Sequence, residues 1–178
     1  MPISNWIPLA AAVATVALLL AAAFTDLTRY RIPNVLVVAI VVVFAVDAAF
    51  NFAWPALVWS AAAAIGMFLL GAGLFAFGLF GGGDVKLIAA MALWTGVADL
   101  PRFLFVMSAA GGLLGAIWLV RRRLRSAPAV SQASSALAAP AAKIPNRIPY
   151  GVAIGVAGLD FFVASPHSPL MQLWPWAA

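Results

Sequence analysis

The chain has 178 residues and a mass of 18.5 kDa, about one domain of polypeptide, with 66% hydrophobic residues, only 8% charged ones and a mean hydropathy of +1.09. A soluble domain carries roughly 25% charged residues, so the composition excludes a water-covered fold, disorder, coiled coil and collagen, and leaves an integral membrane protein. Ten Lys+Arg against five acids, all Asp, give a net charge of +5, which here reads as basic loops fixing orientation rather than nucleic-acid binding; with no cysteine, disulfides, thiolate zinc sites and a cysteine nucleophile are out.

Apolar runs separated by polar or Pro/Gly punctuation predict six transmembrane helices, at roughly 7–25, 35–50, 56–80, 86–98, 103–120 and 148–165. The first ends in small residues as a signal peptide does, but no Lys or Arg precedes Arg29, so it reads as a retained helix. The second and fourth are shorter than the roughly 20 residues of a full crossing, a length tolerated where a helix ends at a buried polar site or a water-filled cavity. After the fifth, the cluster from Arg121 to Arg125 reads as an interface anchor, and residues 126–142, rich in Ala, Ser and Pro, as a flexible cytoplasmic linker. The tail from Pro166, with Trp174 and Trp176 among prolines, reads as an anchor at the other interface.

The expected fold is therefore all-α, a single polytopic membrane domain over residues 1–178. If the spans alternate, Arg29, Arg31, Lys86, Arg121, Arg122, Arg123, Arg125, Lys143 and Arg147 share one side, and Arg102 lies alone on the other. The positive-inside rule makes the first side cytoplasmic and puts the N-terminus outside.

Ionisable groups at membrane depth are costly and point to function. Asp26 closes the first span and Asp84 the third, the latter in Gly81-Gly82-Gly83-Asp84-Val85-Lys86; the topology puts both at cytoplasmic helix ends. Two readings stand at this point. Asp26 can pair with Arg29 or Arg31, and Asp84 with Lys86, as interface ion pairs. Alternatively the two carboxyls face each other, one ionised and able to deprotonate a water, the other protonated and able to donate to a carbonyl oxygen, which is peptide hydrolysis without metal or covalent intermediate. Glycines 81 to 83 would then let an extended substrate approach Asp84. Asp99, with Pro101 and Arg102, is assigned to a short outer loop. Asp47 and Asp160 fall towards the outer ends of their spans, Asp47 near Asn51 as a polar partner. His167 is a lone histidine in a chain without glutamate, a poor start for a zinc site.

Three of these segments together resemble the type IV prepilin peptidases, membrane aspartyl proteases of the GxGD class. Asp26 is followed, after five residues, by Ile32-Pro33-Asn34; the GxGD motif with its trailing lysine is Gly81 to Lys86; and Arg147-Ile148-Pro149-Tyr150-Gly151 leads into the last helix. They occur in the family's order over residues 26 to 151. The short chain looks most like the CpaA/TadV branch, which serves Flp-type pili and tight-adherence secretion systems.

The resemblance implies an endopeptidase of the bacterial inner membrane, with Asp26 and Asp84 as catalytic pair and Gly81, Gly83, Lys86, Pro33 and Asn34 in supporting or substrate-approach positions. Its implied substrates are prepilins and pseudopilins with short basic leaders, cut on the cytoplasmic side just before the pilin's hydrophobic helix. No cofactor, metal or nucleic-acid partner is implied. Larger members also methylate the new N-terminus through a cytoplasmic region often carrying paired cysteines; this chain has no cysteine and no room for that region before Arg29, so methyltransferase activity is not expected. A presenilin-like intramembrane protease and a small transporter using its aspartates as a proton relay are the competing readings.

Overall fold

The computed structural model describes residues 6–51, 53–125 and 149–172; the 126–142 linker, Arg147 and the tryptophans of the tail lie outside them. Its elements are α1 (Trp6–Arg29), α2 (Asn34–Asn51), α3 (Trp54–Ala76), α4 (Gly82–Arg125), α5 (Tyr150–Ala164) and the single turn α6 (Pro169–Gln172). Among the described residues there is no strand, and α1 to α4 are each long and apolar enough to cross a membrane. The protein is an all-helical polytopic membrane protein. Many of its large apolar side chains, Val35, Phe77, Phe105 and Leu124 among them, point outward, as a hydrocarbon solvent allows.

α4 is 44 residues long, about 66 Å if straight and twice the hydrocarbon thickness of a bilayer, but it folds back on itself. Gly96 takes φ 55° and ψ −166° inside it, a conformation open to glycine and strained for any residue with a side chain. The contacts with α5 follow both arms. On the way out, Trp94 stacks edge-on to Phe162 at 5.3 Å; past the break, Arg102 bonds Asp160 and the Ala164 carbonyl at the end of α5. On the way back, Gly111 lies against the Tyr150 ring at the start of α5, where a Cβ would come within 2.9 Å. The arms, 82–95 and 97–125, are the helices expected at 86–98 and 103–120. Asp99 is not in a loop, however: it is buried in the first turn of the second arm. Pro101 is the fifth residue of that arm and lies inside the helix, where it forgoes the bond to the residue 97 carbonyl without ending the helix.

The bundle packs on small residues. α5 buries Gly151, Ala153, Gly155, Ala157 and Gly158. A Cβ on Gly155 would sit 3.2 Å from that of Ala23, and one on Gly158 2.6 Å from Leu19 Cδ1, so α1 and α5 approach closely in the manner of small-residue membrane interfaces. The buried stripe of α1 runs Ala12, Thr15, Leu19, Ala22, Asp26, steps of three and four that keep one helix face inward. Asp26 therefore faces the bundle. Asp47 belongs to the corresponding stripe of α2, after Val37, Ile40 and Phe44 and beside Ala48.

Candidate active site

The end of the bundle where α1 stops and α2, α4 and α5 begin gathers Asp26, the Ile-Pro-Asn segment, the GxGD turn and the Pro149-Tyr150-Gly151 end of the third motif. α1 ends because Tyr30 turns into the left-handed region (φ 52°) while its N–H still bonds the Asp26 carbonyl, the usual helix C-terminal device. Arg31 and Ile32 then lead to Pro33, whose carbonyl accepts the Leu36 N–H at 3.1 Å in the first turn of α2. This short connection puts Asp26, in the last turn and a half of α1, and Asn34, at the start of α2, at the same end of the bundle.

Asp26 is buried, and its Oδ2 accepts the backbone N–H of Gly151 at 2.7 Å. That N–H belongs to the first turn of α5, one of the donors that a helix leaves without an intrahelical partner, and the helix dipole there favours a negative charge. A Cβ at 151 would lie 2.8 Å from that of Asp26. Only glycine lets the two backbones come this close.

Asp84 lies in the first turn of α4, and its carboxyl reaches back towards Gly81 just ahead of that turn. A Cβ on Gly81 would meet Asp84 Oδ2 at 2.6 Å. Gly81 is exposed and Asp84 half-buried, so the pair is reached from the Asp84 side. The Ile32 side chain against Gly83 and the Lys86–Asn34 bond set the α1–α2 connection beside the Asp84 turn, so the two carboxyls lie at the same end of the bundle. Neither forms an ion pair among the described residues; the bridges there are Arg102–Asp160 and His167–Asp99.

The other expected residues are placed as follows. Lys86 Nζ donates to Asn34 Oδ1 at 3.0 Å, tying the Ile-Pro-Asn segment to the Asp84 turn rather than contacting either aspartate. The space beside Gly83 is filled by Ile32, whose Cβ would lie 3.2 Å from a Cβ there, so this glycine admits protein. Tyr150 packs its ring 5.6 Å from that of Phe80. Gly151 and Tyr150 were quoted in the sequence motif without a role; the signal was their place at a helix start. Asp47, Asp99, Asp160 and His167 all lie at the opposite end, Asp47 accepting Asn51 Nδ2 at 2.8 Å as expected. Among the described residues no three His, Cys, Asp or Glu gather as metal ligands.

A family model, the type IV leader peptidase family, matches residues 13–116, a stretch that holds Asp26, the Ile-Pro-Asn segment and the GxGD turn. No curated protein and no solved structure matches the chain.

Proposed function

The chain belongs to the type IV leader peptidase family, and from that premise we propose that it is a two-aspartate endopeptidase of the GxGD type, removing the short basic leader of Flp-type prepilins and pseudopilins at the cytoplasmic face of the bacterial inner membrane. The reading further holds that the chain crosses six times with its N-terminus outside, and that it does not methylate its product. The observation that carries it is the Asp26 carboxylate held by the Gly151 N–H at 2.7 Å, at the end of the bundle where the Lys86–Asn34 bond ties the Asp84 turn to the α1–α2 connection.

In this reading a water lies between the carboxyls. The ionised member takes a proton from it as the oxygen attacks the scissile carbonyl carbon, and the protonated member donates to the carbonyl oxygen. The tetrahedral intermediate collapses, the C–N bond breaks, and the new amine leaves with a proton returned by the pair. The two groups titrate as one unit. Gly81 leaves the approach to Asp84 open to an extended strand. Pro33, Asn34 and Lys86 act as positioning residues by fixing the α1–α2 turn against the start of α4, and Gly83 does so by admitting Ile32.

Co-expression with an Flp-type prepilin from the same genome tests this by gel shift. Leader removal by the parent chain, lost in Asp26→Asn and Asp84→Asn at equal membrane levels, is the expected result; cleavage that survives either substitution sinks the dyad.

A further inference from the structure

The described helices pack round a ring that does not close. α2 lies on α1, α1 on α5, α5 on α4 and α4 on α3, but α3 and α2, neighbours in sequence, scarcely touch each other and both rest on α4. A groove of about 330 Å³ runs along this opening. Lys86, Ala89 and Leu93 of α4 form its floor, on one face of the helix, with Val41 of α2 and Ala64 and Phe68 of α3 in its walls. None of these six side chains is buried. In this groove we propose that the hydrophobic helix following the leader docks, so that the substrate reaches the two aspartates sideways, from the lipid between α2 and α3.

The proposal rests on the leader-peptidase reading and gives the substrate's membrane segment a place. The groove is continuous with the candidate active site: Lys86 follows Asp84 by two residues in α4, and its Nζ bonds Asn34 at the head of α2. From Lys86 to Leu93 is two turns of helix, about 10 Å, leading away from Asp84 along the membrane-spanning part of α4. A bond cut immediately ahead of a helix requires that helix to begin within a residue or two of the carboxyls, and an extended residue covers at most about 3.6 Å. The two residues from Asp84 to Lys86 advance about 3 Å, so the groove starts within that reach.

The lining fits an apolar helix. Lys86 is its one charged residue, and that side chain carries its ammonium to Asn34 while its stem lies along the groove. Ala64 and Ala89 let an incoming backbone come close, the contact by which membrane helices associate and which an acyl chain does not need. A helix 10 Å across and 10 Å long occupies roughly 800 Å³, more than twice the space present. One face of the substrate helix therefore enters the groove, and the other stays in lipid.

Kinetics of the full-length chain in liposomes test this with two substrates, an Flp-type prepilin and a soluble peptide that ends a few residues past the cleavage site. Ala64→Trp and Ala89→Trp fill the groove. Each should raise KM for the prepilin about tenfold with kcat held, the mark of lost uniform binding, and change cleavage of the soluble peptide by less than about twofold. Equal effects on both substrates, or none on the prepilin, overturn the proposal. Crosslinking keeps the test open if a variant fails to fold, since the chain has no cysteine. Ile65→Cys, in the groove wall, should form a disulfide with a cysteine in the substrate helix, and Val156→Cys, exposed on α5, should not. Equal crosslinking at both positions leaves the groove to lipid and overturns the assignment. Absence of prepilin cleavage by the parent chain sinks the leader-peptidase reading itself, whereas cleavage without these selective effects sinks the groove alone.

Discussion

The Gly151 N–H and the Asp26 carboxylate, 125 residues apart in sequence, meet at 2.7 Å. This bond joins α5 to α1 at the point where the chemistry is proposed to occur. Gly151→Ala should leave the helix itself content, since alanine is the better helix former by about 1 kcal/mol. Its Cβ would still push on Asp26, so leader cleavage should fall about 100-fold, the scale of a catalytic group misplaced by an ångström. The check is the cleavage rate at matched protein level; a rate within twofold of the parent would show that this contact does not position Asp26.

Asp26→Asn and Asp84→Asn should each lower cleavage by about 1,000-fold or more, and the double variant should be no worse than either alone. Groups that act as a unit show this non-additivity. Additive losses in the three variants would mean that the carboxyls work separately.

The hydrogen bond between Lys86 and Asn34 predicts coupling of the same kind on a smaller scale. Lys86→Met and Asn34→Ala should each slow cleavage by roughly three- to tenfold, and combining them should add little. A double-variant cycle on cleavage rate measures the coupling directly.

Gly158→Val should lower thermal stability, because its first side-chain atom would already lie 2.6 Å from Leu19 Cδ1. Small-residue contacts are what hold membrane helices this close. Asp26 and Gly151 sit on the same two helices, so activity should fall with stability; detergent-resistant unfolding and cleavage, measured together, test the link.

The natural chain has no cysteine, which makes the orientation simple to test. With Arg31→Cys and Arg102→Cys as single reporters, a membrane-impermeant maleimide added to intact inner-membrane spheroplasts should label position 102 and spare position 31. The reverse pattern would turn the proposed topology over.

Much of this was legible in the residues. Apolar runs located the helices, and the stripe leading to Asp26 follows ordinary helical periodicity. What stayed hidden depends on distant atoms. Nothing in the local sequence says that Gly151 is small because Asp26 sits against it, or that Lys86 reaches Asn34 in place of Asp84. The turn near residue 100 was placed by its proline, whereas the chain bends at Gly96, whose φ of 55° no flanking residue announces. Asp99 consequently moved from an expected outer loop to a buried helical position.

α5 has 15 residues, about 22 Å of helix, and the first arm of α4 is similarly brief. Both fall short of the roughly 30 Å hydrocarbon core, whereas the second arm of α4 continues well beyond Gly111 to its arginines. A bilayer meeting such uneven walls thins on the short side. Under the proposed function, water and headgroups would then be drawn down towards Asp84, and a polar peptide would reach the carboxyls without being stripped of its hydration in mid-membrane. On that reading the shortness of two helices would make the lipid itself a shallow entrance on one flank of the protein.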